Sequence, residues 1–564
     1  MILDYVPSTN AFTLAVKRGE GDPMALVKSH GLDFSTPAST PDRAILFTRN
    51  HYAAACFAEN ATPAASKLLL PITEQVALSW KDSSNAIIRC PADQELWPFQ
   101  IADVEYALGR KNTLVGDQPG LGKTPVAICF ANEIRAKRVL VICPANIRLQ
   151  WARKVREWST MQWPYVVYPI LNGGRGVHPA AEWTIVSYDL ARSPEIGAAL
   201  ARGQYDLLIL DEAHFLKTTD TRRTRAVFGD HTGNYREPVR DEITTEITGY
   251  EVLFAALESR CERILALTGT PLPNRPREAY TLARGLCFDA IDWMSEDAFR
   301  DRFNPSARID GTRSDGSSFT YTREEAGRHG ELNNRLRGNF MTRHLKHGPR
   351  GVMRHLKLPV YDIVLVDETS AVKAALKAES MLDLDHDDPE FFKHANDVVL
   401  GQIAAVRRMM GIAKAPLIAS YCEMLLDGGE EKLFIAAWHI EVLNIIERAL
   451  KKFGLMRIDG SVSPSNRQIL VDDFINNPKV RICLGNIQSV GTGTDGLHKV
   501  CNHVVIGEPS WVDGENQQIV DRLDRGDQKR TVLADFLVAP GSIDERVLSS
   551  ALRKGKETTK VLDH

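Results

Sequence analysis

The chain has 564 residues, 44% hydrophobic and 25% charged, which is too long for one hydrophobic core and suggests about three or four domains. Its net charge of −3, at a pI near 6.6, excludes a protein that grips nucleic acid through overall basicity, so any such contact must come from a local patch. No uninterrupted apolar run approaches the roughly 18 residues of a membrane span, "MILDYVPSTNAF" lacks the basic start of a secretory signal, and nine scattered cysteines without a C-x-x-C pair read as isolated thiols in a reducing compartment.

In chain order, "AFTLAVKRG" and "RAILFTRN" read as strands of a small N-terminal α+β module, residues 1–90. Short Val/Ile/Leu runs then alternate with helix-length segments. "NTLVG" precedes a helix beginning near Thr124, "RVLVICP" precedes the helix "NIRLQWARKVREW", and "WTIVSY", "LLILDEAH" and "RILALTGTP" follow. Such alternation reads as a parallel sheet covered on both faces, here over residues 91–285. Residues 286–360 read as a helical, basic inter-lobe insertion in which "NPSARIDGTRSDGSSFTYTREE" is a loop or hairpin. The alternation restarts over residues 361–564 with "KLFIAAW", "HIEVLNIIERALKKF", "LMRIDG", "SPSNRQILVDDFIN", "VRICLG" and "HVVIGEP". The expected fold is therefore α/β, with two tandem lobes.

The chemistry centres on "VGDQPGLGKTPVA", Val115–Ala127. A strand, a glycine turn and a Lys-Thr pair opening a helix suit a polyphosphate, because unpaired backbone N–H groups converge at the positive end of the helix dipole. The strict phosphate-loop pattern fails at its first glycine, where Asp117 stands. In this reading Gly120, Leu121, Gly122, Lys123 and Thr124 cradle ATP, and the Thr124 hydroxyl reaches Mg²⁺. Further on, "YDLLILDEAHFLK" delivers Asp211 and Glu212 to the C-terminal end of a strand, where ligands bind in open α/β sheets. Asp211 is assigned to the metal, and Glu212 to the attacking water.

From Leu96 onward these motifs closely resemble those of the Swi/Snf-type DNA translocases of helicase superfamily two. "LWPFQ" resembles the family's adenine-reading segment, which implies Gln100 as the base contact. "GDQPGLGKT" resembles its phosphate loop, in which an acid commonly replaces the first glycine. "VLVICPANIRLQW", "DEAH" and "LTGTPLPN" are similar to further motifs, and imply that His214, Thr268, Gly269 and Thr270 couple the ATP and DNA sides. "QIVDRLDRGDQ" resembles the arginine-finger segment, with Arg522 and Arg525 catalytic and Gln518 at the nucleotide. "SVGTGTDGLHKV" resembles the preceding motif through Gly491, Gly493 and Asp495. The resemblance implies two RecA-like lobes with ATP between them. Within the family the likeness is strongest to the HepA-related annealing helicases, and residues 1–90 resemble their DNA-structure-recognising module. The compact length suggests a monomeric phage or bacterial protein working in the cytoplasm.

From Leu332 to Tyr361 there is no acidic residue, while Arg335, Arg337, Arg343, Lys346, Arg350, Arg354 and Lys357 all fall there. A solvated helix face or a phosphate-binding patch would both look like this. Arg343 and Lys346, with Arg153 and Lys154, are the expected DNA contacts. Trp151 and Trp158 read as core. The function expected is an ATP-dependent translocase on duplex or forked DNA, with a strand-separating helicase, a remodeller of protein–DNA complexes and a DNA-structure-binding scaffold as alternatives.

Overall fold

The computed structural model describes residues 1–34, 39–40, 42–162, 164–240, 246–312, 318–324, 326–381, 397–491 and 494–563. Two RecA-like α/β lobes follow a small N-terminal module. The first lobe has a seven-stranded parallel sheet ordered Met341–Thr342, Asn112–Val115, Cys261–Leu267, Tyr205–Asp211, Val139–Cys143, Trp183–Ser187, Val167–Pro169. Its central strands are buried along almost their whole length, which is why they read as continuous apolar runs rather than alternating ones. The second lobe has six parallel strands ordered Val360–Leu365, Leu533–Val538, His503–Ile506, Leu433–Ala437, Ile482–Asn486, Leu455–Ile458.

Several features differ from the sequence expectation. An antiparallel hairpin, Asn234–Arg240 with Ile247–Ala255, lies outside the first sheet and was not anticipated. The segment expected as an insertion is part of the first lobe: Phe299, Phe303, Leu332, Leu336, Phe340 and Met341 share one core with Leu114, Leu140 and Leu208. Within it, Ser306–Thr312 pairs with Ser318–Glu324 as a hairpin, and residues 313–317 lie outside the described residues. One helix, Asp397–Asp427, includes a stretch, Gly401–Asp427, that is long and apolar enough to cross a membrane. Its Met410, Ile418 and Cys422 pack into the core of the second lobe. The nine cysteines are free thiols.

The N-terminal strands Ile2–Val6, Ala11–Lys17, Asp33–Phe34 and Arg43–Thr48 form an antiparallel sheet, and both segments read as strands are strands. The sequence gives no reason for the lobes to need this module. The structure seats it on the helix His329–Asn339, through polar contacts. Asn50 Nδ2 donates to Glu331 at 2.8 Å, Asn334 Nδ2 donates to the Tyr52 carbonyl at 2.9 Å, and the Arg337 guanidinium lies 3.3 Å from the Trp80 ring centre. Glu331 is fully buried and accepts from Arg302 at 2.9 Å and Arg335 at 2.8 Å. Removing residues 1–90 would therefore uncover buried charge in the first lobe. Breaking a buried ion pair from one side typically costs about 3–5 kcal/mol. Glu331→Ala is expected to lose that order of stability in urea unfolding, and an unchanged midpoint would show that Arg302 and Arg335 are solvated instead.

Candidate nucleotide-binding site

The helix Lys123–Glu133 starts directly after a turn in which Gly120 and Gly122 have φ of 89° and 77°, a left-handed backbone that favours glycine. Space is equally tight here: a β-carbon on Gly122 would meet the Gln100 amide nitrogen at 2.4 Å. Gln100 is buried in holding this turn. Its Nε2 donates to the Leu121 carbonyl at 2.9 Å, and its Oε1 accepts from the Trp97 N–H at 2.9 Å. The side chain expected to read adenine is thus engaged as a brace for the loop. Lys123 Nζ lies against the carbonyls of Asp117 (2.7 Å) and Gln118 (3.3 Å), and burial lowers its pKa against the pull of Glu212, Asp117 and Asp211.

Asp211 and Glu212 stand at the end of the strand Tyr205–Asp211, as expected. Two neighbours fix Asp211: Trp151, read from sequence as core only, and Tyr188, not singled out. The Trp151 indole N–H donates to its carboxylate at 2.6 Å, and the Tyr188 hydroxyl donates to its carbonyl at 2.8 Å. Burial and the adjacent Glu212 push the Asp211 pKa up to about 6. Glu212 goes the other way: burial opposes ionisation, but His214, Lys123 and Arg522 together lower its pKa. Its φ of 50° is left-handed for a non-glycine residue, a strain of roughly 1–3 kcal/mol that the surrounding packing must hold. His214 Nδ1 lies 3.3 Å from Glu212, 3.0 Å from the Thr268 hydroxyl and 3.4 Å from that of Thr270. Gly269 packs on the loop, since a β-carbon there would meet Pro119 Cγ at 2.5 Å. The four expected coupling residues are therefore brought together.

From the second lobe, the arginine-bearing turn reaches the phosphate loop. A β-carbon on Gly120 would sit 3.2 Å from the Asp524 carbonyl and 3.5 Å from Arg525 Cδ. Arg525 pairs with Asp495 at 3.2 Å. Arg522 donates to the Gly491 carbonyl, its Nε is buried without a hydrogen-bond partner, and burial lowers its pKa to about 10. Gln518 is buried, with Oε1 3.6 Å from where a Gly491 β-carbon would stand. Gln528 caps the carbonyls of His498, Cys501 and Leu523. Gly493 lies outside the described residues.

Of the four expected DNA contacts, Arg343 and Lys346 are corrected by their burial, and Arg153 and Lys154 stand at the inter-lobe cleft. Arg153 and Lys154 line an inter-lobe cleft of about 590 Å³ together with Trp97, Gln100, Gly120, Gly122 and Arg525, so they face the phosphate loop. Each also pairs with Glu157 on its own helix. Arg343 and Lys346 are buried. Residues 340–344 run beside the phosphate-loop strand, their carbonyls accepting from the N–H groups of Leu114, Gly116 and Gln118 at 2.7, 2.8 and 3.1 Å. That ladder turns Arg343 inward, where it donates to the Gly116 carbonyl at 2.6 Å and pairs with Asp563 at 2.8 Å. Lys346 is held by Asp521 and Asp524, and is 2% exposed. Only Arg350, Arg354 and Lys357 of the basic run are exposed, while Arg335 and Arg337 are buried.

Between Arg343 and Lys346, His344 is enclosed by Asp103 (3.3 Å) and Asp117 (3.0 Å), both fully buried. Its Nδ1 faces the carboxylates and its Nε2 faces the Lys81 carbonyl at 3.0 Å. Both nitrogens thus meet acceptors, and the two carboxylates hold the imidazole protonated, raising its pKa well above the usual value against the effect of burial. Among the described residues this is the grouping closest to a metal-ligand set. An imidazolium has no lone pair for a metal.

Residues 98–236 match the family model of the SNF2-related domain. The chain is 26% identical over 503 residues to the DNA annealing helicase and endonuclease ZRANB3 of Bos taurus, covering 87% of this chain and 43% of that protein. It is 28% identical over 462 residues to the SWI/SNF-related matrix-associated actin-dependent regulator of chromatin subfamily A-like protein 1 of Xenopus tropicalis, covering 80% and 43%. The chain therefore spans less than half the length of these curated relatives. A solved structure, the Sulfolobus solfataricus SWI2/SNF2 ATPase core in complex with dsDNA, is 17% identical, covering 83% of this chain and 96% of that one, with a TM-score of 0.35. By these comparisons the chain is similar to Swi/Snf-type members of helicase superfamily two. The expectation of a bacterial or phage cytoplasmic protein is corrected: the curated relatives matched are eukaryotic, from cattle, mouse, human and frogs.

The raised Asp211 pKa has a stability consequence. Its carboxylate is disfavoured in the fold relative to the unfolded chain, so the penalty is fully present above about pH 6 and disappears as the group protonates below it. Asp211→Asn is expected to raise the melting temperature of the nucleotide-free protein at pH 8, and to change it little at pH 4. An equal shift at both pH values would contradict the burial of an ionised Asp211.

Proposed function

We propose that the chain is an ATP-dependent DNA translocase of Swi/Snf type, coupling hydrolysis to movement along duplex or forked DNA or to strand reannealing. One observation carries this reading. Lys123 lies within electrostatic reach of Asp211 and Glu212, Glu212 within reach of Arg522 from the second lobe, and Arg525 stands against Gly120 at the inter-lobe cleft. Residues supplied by both lobes make hydrolysis conditional on their closure, and conditional closure is what a motor needs.

The loop Gly120–Thr124 offers backbone N–H groups and the Lys123 ammonium to the phosphates. That ammonium now rests on two carbonyls, which a phosphate would replace as its partners. Arg522 and Arg525 stabilise charge on the transferring phosphoryl group; arginines in this role typically contribute roughly 10³–10⁵ in rate. Glu212 orients the attacking water, with His214 relaying its position to Thr268 and Thr270. The hydroxyl of Thr124 and the carboxylate of Asp211 are hard oxygen donors that fit Mg²⁺, and Glu212 Oε2, which His214 Nδ1 approaches at 3.3 Å, is a further buried oxygen beside them. Bound there, the ion would neutralise phosphate charge. Trp97 and the braced Gln100 border the cleft where the base would lie.

With Arg153, Lys154, Arg343 and Lys346 engaged elsewhere, a DNA backbone needs another path. A second inter-lobe opening of about 240 Å³ is lined by Asn146, Ser187, Asp189, Arg223, Gln488 and Ser489, with Arg223 paired to Asp189 at 3.0 Å. Its amide and hydroxyl groups suit phosphate oxygens, to which Arg223 could turn from Asp189, and carry no base preference that would stall a motor. The reannealing direction is supported by the relatives named as annealing helicases.

ATP turnover measured with single-stranded, duplex and forked DNA and with RNA, across a salt titration, tests the reading. Duplex or fork stimulation is expected, with Lys123→Ala abolishing turnover and Glu212→Gln retaining nucleotide binding without hydrolysis. Turnover indifferent to every nucleic acid would reject the motor.

A further inference from the structure

The arginine-bearing turn does not reach the phosphate loop unaided. Lys346, on the stretch that leaves the first lobe, sends its ammonium into that turn. There it meets the carboxylate of Asp521, that of Asp524 at 2.6 Å and the Asp524 carbonyl at 2.9 Å. Asp521 immediately precedes Arg522, and Asp524 immediately precedes Arg525, in sequence. The backbone of the same lysine holds the other side: its N–H donates to Gln118 Oε1 at 2.7 Å, and the Gln118 N–H donates to the His344 carbonyl at 3.1 Å. Gln118 also offers its carbonyl to Lys123. One residue thus spans from the phosphate-loop lysine to the arginine turn. His347 adds a second contact to Asp524 at 2.8 Å.

The cluster is nearly removed from bulk solvent and borders an inter-lobe cavity of about 340 Å³. Lys346 is 2% exposed, Asp521 8% and Asp524 3%. Burial raises the Asp521 pKa, and the nearby ammonium works against that rise. A buried lysine between two carboxylates is held far more strictly than a surface pair, because each charge is costly without its partners. We propose that Lys346 is a positioning residue for ATP hydrolysis: it fixes the arginine-bearing turn over the phosphate loop, so that the arginines engage only when the inter-lobe stretch is in place. This rests on the ATPase reading above. The ammonium of Lys346 is taken up by Asp521 and Asp524, so the residue acts through Arg522 and Arg525. Misplacement of catalytic groups by an ångström can cost on the order of 100-fold in rate without loss of binding.

Lys346→Met in the full chain, assayed for duplex-stimulated turnover and for binding of a fluorescent N-methylanthraniloyl ATP, tests this. The expected result is a kcat lowered about 100-fold with KM and analogue affinity within about threefold, and an unchanged salt dependence of duplex binding. Because Lys346→Met leaves Asp521 without its lysine and Asp524 with His347 alone, the triple variant Lys346→Met/Asp521→Asn/Asp524→Asn serves as the folding control. It is expected to regain the parental melting temperature while remaining slow. Parental kcat in either folded variant would overturn the proposal, leaving Lys346 as a charge partner only. KM and kcat failing together would also overturn it, and a duplex salt slope flattened by about one unit would return Lys346 to the DNA surface. Absence of ATP turnover in the parent chain with every nucleic acid would reject the ATPase reading, and this proposal with it.

Discussion

Charge taken out of water must be paired, and the stretch Phe340–His347 concentrates that requirement. Its backbone extends the first sheet by one short strand beside the phosphate loop, so its side chains are committed to the interior before their chemistry is considered. Arg343 then has to find Asp563, His344 has to sit between Asp103 and Asp117, and Lys346 has to find Asp521 and Asp524. These partners come from the C-terminal end, the first lobe and the second lobe in turn. The pairing therefore does what a linker of ordinary polarity would not: it fixes the relative position of both lobes at the nucleotide cleft.

The C-terminal helix Ile543–Leu562 shows the same logic from the opposite direction. It starts in the second lobe, yet Val561 and Leu562 belong to the core of the first. Their carbonyls accept from Asn333 at 2.6 and 3.0 Å, and that of Leu562 also from Arg337 at 3.0 Å. Arg337 in turn stacks on Trp80 beside the N-terminal module. The module, the helix His329–Asn339 and the chain's end are thus packed as one unit behind the phosphate loop. A change of lobe position has to be accommodated at few places, which suits the closure-dependent hydrolysis proposed above.

Much of this was legible in the sequence where the signal is local. Glycines, a Lys-Thr pair and a helix start within a few residues announce the phosphate loop, and four apolar residues before Asp211 announce a strand end. Five of the first sheet's seven strands and four of the second's six follow from apolar runs of strand length; Val167–Pro169, Met341–Thr342, Val360–Leu365 and Leu533–Val538 were not read. What failed was the direction of charged side chains. Lys346 and Arg343 carry their partners 175 and 220 residues away in sequence, so a run of basic residues looks the same whether it meets solvent, phosphate or buried acid. Arg153 and Lys154 lie on a helix whose exposed face is evident from its pattern, but which lobe that face meets is a tertiary fact. A two-residue strand is too short to leave a period, so the ladder that turns Arg343 inward was invisible. Trp151 was read as core from its i, i+7 spacing with Trp158; its indole N–H holding Asp211 shows that a core residue can also position a buried carboxylate.

Amide hydrogen exchange across residues 340–346 of the intact, DNA-free chain tests the central point most directly, because it reads burial and pairing without any substitution. The expected result is protection close to that of the neighbouring strand Asn112–Val115, and far above that of the exposed residues 348–350, with no further change when duplex DNA is added. Exchange at the rate of the exposed residues, with protection appearing only on DNA binding, would contradict it and restore the basic run to the DNA surface.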